Sequence, residues 1–245
     1  MSRLIGVIQA RSGSTRLPGK VMRDLGGRPV LSWVIGAAQR SAVCSDVIVA
    51  TTTDPADDEI AAFAQKLGAG VVRGSVEDVL SRFVLAADTV DAQPGEGIVR
   101  LTADNPLVNQ SVISACARKF ATGRFDYVTT DHEHTVAHGF DVEVVSVDAL
   151  RRLDEIATDA DRAHVTSYIT THAGEFRIAT VAFDPPSADL RVTLDEPADA
   201  ELLDAIVAEL GNGAIVWQNV VALLRARPDL VALNAHVAVK PLAAG

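Results

Sequence analysis

The sequence LIGVIQARSGSTRLPGK, residues 4–20, carries the strongest structural signal in the chain. Its first seven residues form an apolar run of strand-forming side chains, and the remainder is rich in glycine, serine, arginine and proline. This order predicts a buried first strand that ends in a loop. Residues 29–40 then place Leu31, Val34 and Ala38 on one helical face, which predicts a helix after the loop.

Strand and helix patterns continue to alternate through the first half of the chain. The predicted strands are residues 47–51, 70–72 and 97–102, and the predicted helices are residues 57–67, 76–87 and 110–122. Strands that alternate with helices of about 10 to 15 residues indicate right-handed crossovers and a mainly parallel sheet. We therefore predict an α/β fold of three layers, α/β/α, with ligands bound beyond the carboxyl ends of the strands.

The pattern changes in the second half. Two predicted strands, residues 126–130 and 141–147, flank a polar loop that contains His132, His134 and His138. The loop lacks cysteine partners and any established zinc-ligand spacing, so we interpret it as a polar loop rather than a zinc site. Further helices are predicted at residues 147–156, 161–171, 198–210 and 217–225, and further strands at residues 176–183 and 191–194.

Composition limits the class of protein. The 245 residues are 48% hydrophobic, which suffices for a core without metal or disulfide support. A formal net charge of −10 argues against general nucleic-acid binding, which depends on basic patches. No apolar run approaches the roughly 20 residues that span a bilayer, and the first residues are too briefly apolar for a signal peptide. Because Cys44 and Cys116 lie in no CxxC pattern, we expect reduced thiols and a cytoplasmic protein.

No repeat, low-complexity tract or linker divides the chain. We therefore expect a single domain over residues 1–245. Within it, we expect a nucleotide half at about residues 1–125 and an acceptor and dimerisation half at about residues 126–230.

The loop after the first strand has the composition of an anion cradle. Arg11, Arg16 and Lys20 place three positive charges together in a chain that is acidic overall. Gly13 allows backbone N–H groups to approach an oxyanion, and Ser14 adds a hydroxyl donor. We predict that this loop binds a triphosphate and that its cations stabilise the charge on departing pyrophosphate.

Spacing excludes two common phosphate loops. A Walker A loop needs four residues between its glycine and Gly-Lys, and a serine or threonine after the lysine. Here five residues separate Gly13 from Gly19, and Val21 follows Lys20. No GxGxxG motif is present, which disfavours a dinucleotide-binding fold. The remaining alternative is an ordinary solvated loop of arginine and lysine residues.

Two aspartates are expected at the same edge of the sheet as the loop. Asp104 follows the predicted strand at residues 97–102, and Asp195 follows the one at residues 191–194. Carboxylate oxygens suit Mg²⁺, which takes one or two of them and completes its shell with phosphates and water. The alternative is that each aspartate caps the helix that follows. Asp199 competes with Asp195 for the second position.

Six motifs, in order along the chain, resemble those of the cytidylyltransferases that activate acidic sugars, including CMP-sialate and CMP-Kdo synthetases. They are residues 8–21 (IQARSGSTRLPGKV), 73–80 (RGSVEDVL), 100–107 (RLTADNPL), 139–143 (GFDVE), 162–166 (RAHVT) and 191–195 (RVTLD). The resemblance is closest to the spore-coat-polysaccharide type. It implies a fold like that of the nucleotide-diphospho-sugar transferases, a GT-A-like Rossmannoid, and a homodimer.

This resemblance implies a magnesium-dependent nucleotidyltransferase that transfers CMP from CTP to a sugar acid and releases pyrophosphate. It implies metal binding by Asp104 and Asp195, and catalysis by Arg11, Arg16 and Lys20. The nucleotide-binding residues that it implies are Ala10, Arg11, Ser12, Gly13, Ser14, Arg16, Lys20, Arg73 and Asp104. Arg73 would contact cytosine; the alternative for Arg73 is an ion pair with an acidic residue of the next helix, Glu77 or Asp78.

The acceptor side gives weaker signals. The residues expected to bind the acceptor are His138, Asp141, Glu143, Arg162 and His164. An acidic acceptor requires a cation such as Arg162, and carboxylates can bind sugar hydroxyls. The alternative is that Asp141 and Glu143 form a solvated strand face and that His164 has a local partner on its helix.

Two residues depart from the family pattern. Ala103 stands where members usually have glycine, and Glu196 stands where they commonly have threonine. Glu196 adds a carboxylate beside the expected metal. The alternative functions are a nucleotidyltransferase with another nucleotide or a non-sugar acceptor, a GT-A glycosyltransferase, and a non-catalytic nucleotide-binding protein. The basic loop favours a triphosphate over the diphosphate of a nucleotide sugar.

Overall fold

The structure is a computed structural model that describes residues 3–130 and 135–238. His132 and His134, two members of the predicted polar loop, lie outside the described residues. The strands are β1 (Leu4–Gln9), β2 (Asp46–Thr52), β3 (Gly70–Gly74), β4 (Gly97–Thr102), β5 (Tyr127–Thr129), β6 (Glu143–Ser146) and β7 (Ile178–Thr180).

In the described part of the chain, these strands form one seven-stranded sheet in the order β3-β2-β1-β4-β6-β5-β7. Strands β1 to β4 are parallel to one another. Strand β6 pairs antiparallel with both β4 and β5, and β7 pairs parallel with β5. The prediction of a mainly parallel sheet is confirmed.

Helices cover both faces of this sheet. They are α1 (Val30–Arg40), α2 (Asp58–Lys66), α3 (Val79–Thr89), α4 (Gln110–Phe120), α5 (Val147–Ile156), α6 (Asp159–His164), α7 (Ser167–Thr171), α8 (Pro197–Leu210), α9 (Trp217–Ala226) and α10 (Pro228–Asn234). Ile5 and Val7 of β1 pack in one apolar cluster with α3 and α5, whereas Leu4 and Ile8 pack in another with α1, α4 and α8. Because alternate strand residues point to opposite faces, the α/β/α prediction is confirmed. Among the helices of the described ranges, none is long and apolar enough to cross a bilayer.

The strand order places the end of β1 beside the end of β4. Gln9 is paired with Thr102 in the sheet, and Ala103 N donates to Gln9 O (3.0 Å). The basic loop and Asp104 therefore leave the sheet side by side.

Residues 191–194, which the sequence predicts as a strand, form an extended segment outside the sheet. Backbone N–H groups of this segment donate to His138 O (2.7 Å) and to Asp104 O (2.8 Å). Because the acceptors belong to two different segments, no continuous ladder forms. A Cβ on Gly139 would lie 2.6 Å from this backbone, so glycine permits the close approach. The result is that Asp195 lies beside Asp104.

The helix predicted at residues 161–171 is divided into α6 and α7. Val165, between them, is fully buried and has a φ of 62°. This left-handed conformation is strained for a β-branched residue, and it interrupts the helix although the apolar spacing continues. Other predicted bounds differ as well. The strands at residues 176–183 and 141–147 shorten to β7 and β6, and the helix at residues 76–87 begins three residues later and ends two residues later, as α3.

Candidate active site

A pocket of about 300 Å³ opens at the carboxyl edge of the sheet. Its walls come from the end of β1, the basic loop, the end of β4, and helices α3 and α6. The predicted nucleotide-binding residues that line it are Ala10, Arg11, Gly13, Ser14, Arg16, Lys20 and Asp104. Asp195 and His164 line it as well. The loop, both predicted metal ligands and one predicted acceptor residue thus meet in one place.

A buried carboxylate holds the loop in shape. Asp57, 1% exposed, accepts hydrogen bonds from Ser12 N (2.7 Å) and Ser12 Oγ (2.6 Å). Its other oxygen accepts from Thr52 Oγ1 (2.5 Å). Burial raises the pKa of Asp57, but hydrogen bonds from Ser12 and Thr52 outweigh it and lower the pKa below its ordinary value. Ser12, predicted to bind the nucleotide, donates its hydroxyl to Asp57 and anchors the loop. A contact between Ser12 and the nucleotide stays a prediction.

Lys20 lies between the two predicted metal ligands. Its Nζ donates to Asp104 Oδ2 (2.8 Å) and to Asp195 Oδ1 (2.8 Å), and its side chain is 10% exposed. Burial lowers the pKa of Lys20, but the two carboxylates outweigh it and raise the pKa above its ordinary value. Lys20 is consequently charged at neutral pH and holds the carboxylates together.

Two arginines complete the surroundings of Asp195. Arg16 lies 3.2 Å from Asp195 Oδ2 and 3.0 Å from Glu196 Oε1. Arg191 lies 3.0 Å from the same Asp195 oxygen. Burial raises the pKa of Asp195, but Lys20 and the arginines outweigh it, and the pKa falls to about 2. Asp195 is therefore a carboxylate at any physiological pH.

These ion pairs predict an acid-dependent stability difference. A depressed pKa stabilises the folded state above the ordinary value of 3.8, and the contribution is lost as pH falls to about 2. We expect the thermal midpoints of wild type and Asp195→Asn to differ by a constant amount above about pH 5 and to converge between about pH 4 and pH 2. A difference that persists unchanged to pH 2 would contradict the ion pairs described.

Asp199 has a structural role instead of a place in the pocket. Its side chain is fully buried and accepts hydrogen bonds from Arg191 Nε (2.8 Å) and Asn234 Nδ2 (2.8 Å). It also accepts from the backbone N–H groups of Asp195 (2.9 Å) and Glu196 (3.0 Å), in a capping box at the start of α8. With both oxygens occupied, Asp199 positions Asp195 rather than competing with it.

Replacing Asp199 with asparagine is expected to destabilise the fold. The change removes the charge that faces Arg191 in a buried pair, and we expect a loss of about 3 kcal/mol in the free energy of unfolding. Urea denaturation measures it. Glu201→Gln, on the exposed side of the same helix, is the control and should unfold at the wild-type urea concentration. Equal stability of Asp199→Asn would contradict this role.

Arg73 is engaged outside the pocket lining. It donates to Thr52 O (2.7 Å) and Asp54 O (2.9 Å), and it pairs with Asp58 Oδ1 (2.6 Å). The ion pair with Glu77 or Asp78 that the sequence suggested was wrong, because the partner is Asp58 at the start of α2. A contact between Arg73 and cytosine stays a prediction.

Most of the predicted acceptor residues are tied to other side chains. Glu143 pairs with Arg100 and accepts from Thr166 Oγ1 (2.5 Å). His138 Nδ1 lies 3.5 Å from Asp141 Oδ2. The Asp141 and Glu143 side chains are thus not simply a solvated strand face.

Arg162, the cation expected to meet an acidic acceptor, pairs with Asp78 (2.7 Å) and Asp154 (2.7 Å). These partners raise its pKa above the ordinary value. Of the five predicted acceptor residues, His164 is the one that lines the pocket. The roles of the other four toward an acceptor stay predictions.

Sequence reasoning missed three residues at this edge: Gln9, Asp57 and Arg82. Gln9 and Arg82 line the pocket. A signal for Arg82 exists, because a charged residue interrupts the apolar face of the predicted helix between Val79 and Phe83. Asp57 gave none, since an aspartate at a helix start is an ordinary cap.

These parts define the class of the protein as a nucleotidyltransferase. A cationic loop meets two aspartates that share Lys20 at the carboxyl edge of an α/β sheet, where such sheets bind ligands. A family model described as "Cytidylyltransferase" matches residues 5–219. The chain belongs to the cytidylyltransferase family, and its nucleotide donor is CTP.

The similar proteins agree with this family. Spore coat polysaccharide biosynthesis protein SpsF of Bacillus subtilis is 32% identical over 240 residues, 94% of this chain and 97% of that protein. A 3-deoxy-manno-octulosonate cytidylyltransferase of Acidobacterium capsulatum is 31% identical over 201 residues, 75% and 78% of the two chains. The structure of a cytidylyltransferase from Leptospira borgpetersenii matches with a TM-score of 0.89 at 26% identity, over 98% of this chain and 100% of that one. The resemblance drawn from the motifs is confirmed.

Proposed function

We propose that this protein transfers CMP from CTP to a sugar-acid-like acceptor, with Mg²⁺, and releases pyrophosphate. The observation that carries the proposal is Lys20, held between Asp104 and Asp195 at the base of a loop with two further cations. A 3-deoxy-manno-octulosonate cytidylyltransferase among the similar proteins supports a sugar acid as the acceptor.

The residues present fit a magnesium ion. Asp104 and Asp195 both contact the ammonium of Lys20, so a cation already lies between their oxygens. In residues 3–130 and 135–238, no three His, Cys, Asp or Glu side chains form a metal cluster. Mg²⁺ in proteins is commonly coordinated by one or two carboxylates, with phosphate oxygens and water as its other ligands. When bound, the ion would stabilise negative charge on the triphosphate as a Lewis acid.

In this proposal the basic side chains of the loop bind the triphosphate and stabilise the leaving group. Arg11, Arg16 and Lys20 bind the triphosphate and stabilise charge as it develops on the leaving pyrophosphate. An acceptor hydroxyl forms a new O–P bond at the α-phosphorus while the bond to pyrophosphate breaks in line, and the hydroxyl proton passes to water. No covalent enzyme intermediate is needed, so positioning and electrostatics supply the rate acceleration.

Acceptor binding is proposed for the α6 side of the pocket. His164 lies there already, and its ring can donate to a carboxylate or hydroxyl. Arg162 reaches an acceptor only by leaving Asp78 and Asp154. His138, Asp141 and Glu143 extend the proposed surface.

Pyrophosphate release tests the proposal. The protein is incubated with CTP, ATP, GTP or UTP, with and without Mg²⁺, and with a panel of sugar acids. We expect release only with CTP, Mg²⁺ and an acidic sugar, and a CMP-sugar product by mass spectrometry. Equal release with another nucleotide or a neutral acceptor would instead indicate a related nucleotidyltransferase. CTP binding without release from any acceptor would support a non-catalytic protein.

We also propose a cytoplasmic homodimer formed through the half at about residues 126–230. Both cysteines are free thiols, as is usual for proteins of a reducing compartment. Sedimentation equilibrium tests the dimer, and a monomer at all concentrations would contradict it.

A further inference from the structure

Arg82 is a buried cation that faces the pocket with unused hydrogen-bonding capacity. Its residue is 2% exposed, on the packed side of α3. Nη1 donates to Ala50 O (3.1 Å), but the buried Nε has no acceptor. Burial and the neighbouring charge of Arg11 lower the pKa of Arg82 to about 10, so the guanidinium is still charged at neutral pH. A buried charge of this kind is costly unless a ligand offsets it.

The surrounding backbone is shaped to admit this side chain. A Cβ on Gly74, at the end of β3, would lie 2.9 Å from Arg82 Cγ. Glycine therefore gives the arginine stem room to cross the end of the strand. The neighbouring helix residues Leu80 and Phe83 are fully buried and apolar, which makes a charge on this face the exception.

Gln9 presents a second buried polar atom without a partner in the same pocket. It is the last residue of β1, and its Oε1 is buried and accepts no hydrogen bond. Arg82 therefore offers an unused donor, and Gln9 an unused acceptor, to the same space. Buried polar groups are almost always paired. The unpaired Nε of Arg82 and Oε1 of Gln9 therefore indicate a ligand that presents an acceptor to the arginine and a donor to the glutamine.

The position of Arg82 separates it from the metal and phosphate end of the pocket. Ala50 O, which accepts from Arg82, also accepts from Ala10 N (3.2 Å). Arg82 thus lies at the start of the basic loop, whereas Lys20 marks the opposite end beside Asp104. The ion pairs of Arg16 and Lys20 place these two loop cations at the metal end of the pocket. Arg82 lies at the other end, beside Arg11, which leaves Arg82 for the base.

We propose that Arg82 and Gln9 together read the pyrimidine base of the nucleotide. Arg82 donates to O2 and N3 of cytosine, which are acceptors, and Gln9 Oε1 accepts from the N4 amine. Uracil keeps O2 but presents an oxygen instead of the N4 amine and an N–H instead of the N3 acceptor, so the Gln9 contact and the Arg82 contact with N3 would be lost. This inference rests on the proposed cytidylyl transfer and adds the residues that select its nucleotide.

Isothermal titration calorimetry tests the role of Arg82. It measures the binding of CTP, UTP and inorganic tripolyphosphate to the wild type and to Arg82→Met. We expect the Kd for CTP to rise between about tenfold and a hundredfold, and the Kd for tripolyphosphate to change by less than about twofold. Because the variant removes a buried charge that has no ion-pair partner, its thermal midpoint should be equal to that of the wild type or higher. That measurement also establishes that the variant is folded. Arg118→Met, at an exposed position of α4, is the control and should bind all three like wild type.

Gln9→Met tests the second contact independently. We expect its preference for CTP over UTP to fall about tenfold, again with unchanged tripolyphosphate binding. The inference is overturned if Arg82→Met weakens tripolyphosphate as much as CTP, or if both variants keep the wild-type preference. A wild type that binds CTP and UTP equally would instead contradict the proposed function.

Discussion

Lys20→Ala is expected to lower turnover by about a thousandfold, far more than the loss of its two ion pairs lowers the stability of the fold. The side chain removed is the cation that contacts both Asp104 and Asp195, at the point where charge would develop on the leaving pyrophosphate. Steady-state pyrophosphate release under saturating CTP and acceptor measures the effect. The loss should appear in kcat rather than in KM alone, because the contact is expected to be strongest in the transition state.

The matched control is Lys66→Ala, which removes an exposed lysine at the end of α2 and should retain wild-type turnover. Circular dichroism and thermal unfolding establish that Lys20→Ala is folded. Wild-type turnover in a folded Lys20→Ala protein would contradict the assignment.

Asp104→Asn is expected to lower turnover by a factor of about a hundred to a thousand and to raise the Mg²⁺ concentration for half-maximal activity. An amide oxygen is a weaker ligand for Mg²⁺ than a carboxylate oxygen, and the aspartate side chain faces the pocket at 30% exposure. Magnesium titration of the variant measures both effects. Asp195→Asn should behave in the same way.

Asp199→Asn separates metal binding from structural support. This residue lies four positions from Asp195 and is buried against Arg191. It should lose stability but keep the wild-type Mg²⁺ requirement when assayed below its melting temperature. If Asp104→Asn and Asp199→Asn showed the same change in Mg²⁺ requirement, Asp104 would have no special role as a ligand.

The sequence predicted the sheet and the loop well because both depend on local patterns. An apolar strand followed by Gly-rich, cationic residues specifies a loop at the carboxyl edge, and helical periodicity specifies the crossovers. Asp104 and Asp195 were found because each follows an apolar run. The rule that parallel strands end at one edge accounts for Asp104. Asp195 reaches Lys20 differently, because residues 191–194 form an extended segment bonded to His138 O and Asp104 O outside the sheet.

Long-range pairing could not be predicted in the same way. Arg162 meets Asp78, 84 positions away, and Glu143 meets Arg100, 43 positions away. Nothing local distinguishes such side chains from free ones. Val165 was missed for a related reason, because tertiary packing holds a φ of 62° that its own preference disfavours.

A structure of the protein with CTP and Mn²⁺ tests the central claim most directly. Anomalous scattering locates the metal without assumptions about its ligands. The account predicts one peak between Asp104 and Asp195, with the triphosphate along residues 11–20 and Lys20 Nζ moved from the carboxylates to a phosphate oxygen. A metal peak away from both aspartates, or a triphosphate bound outside this loop, would contradict it.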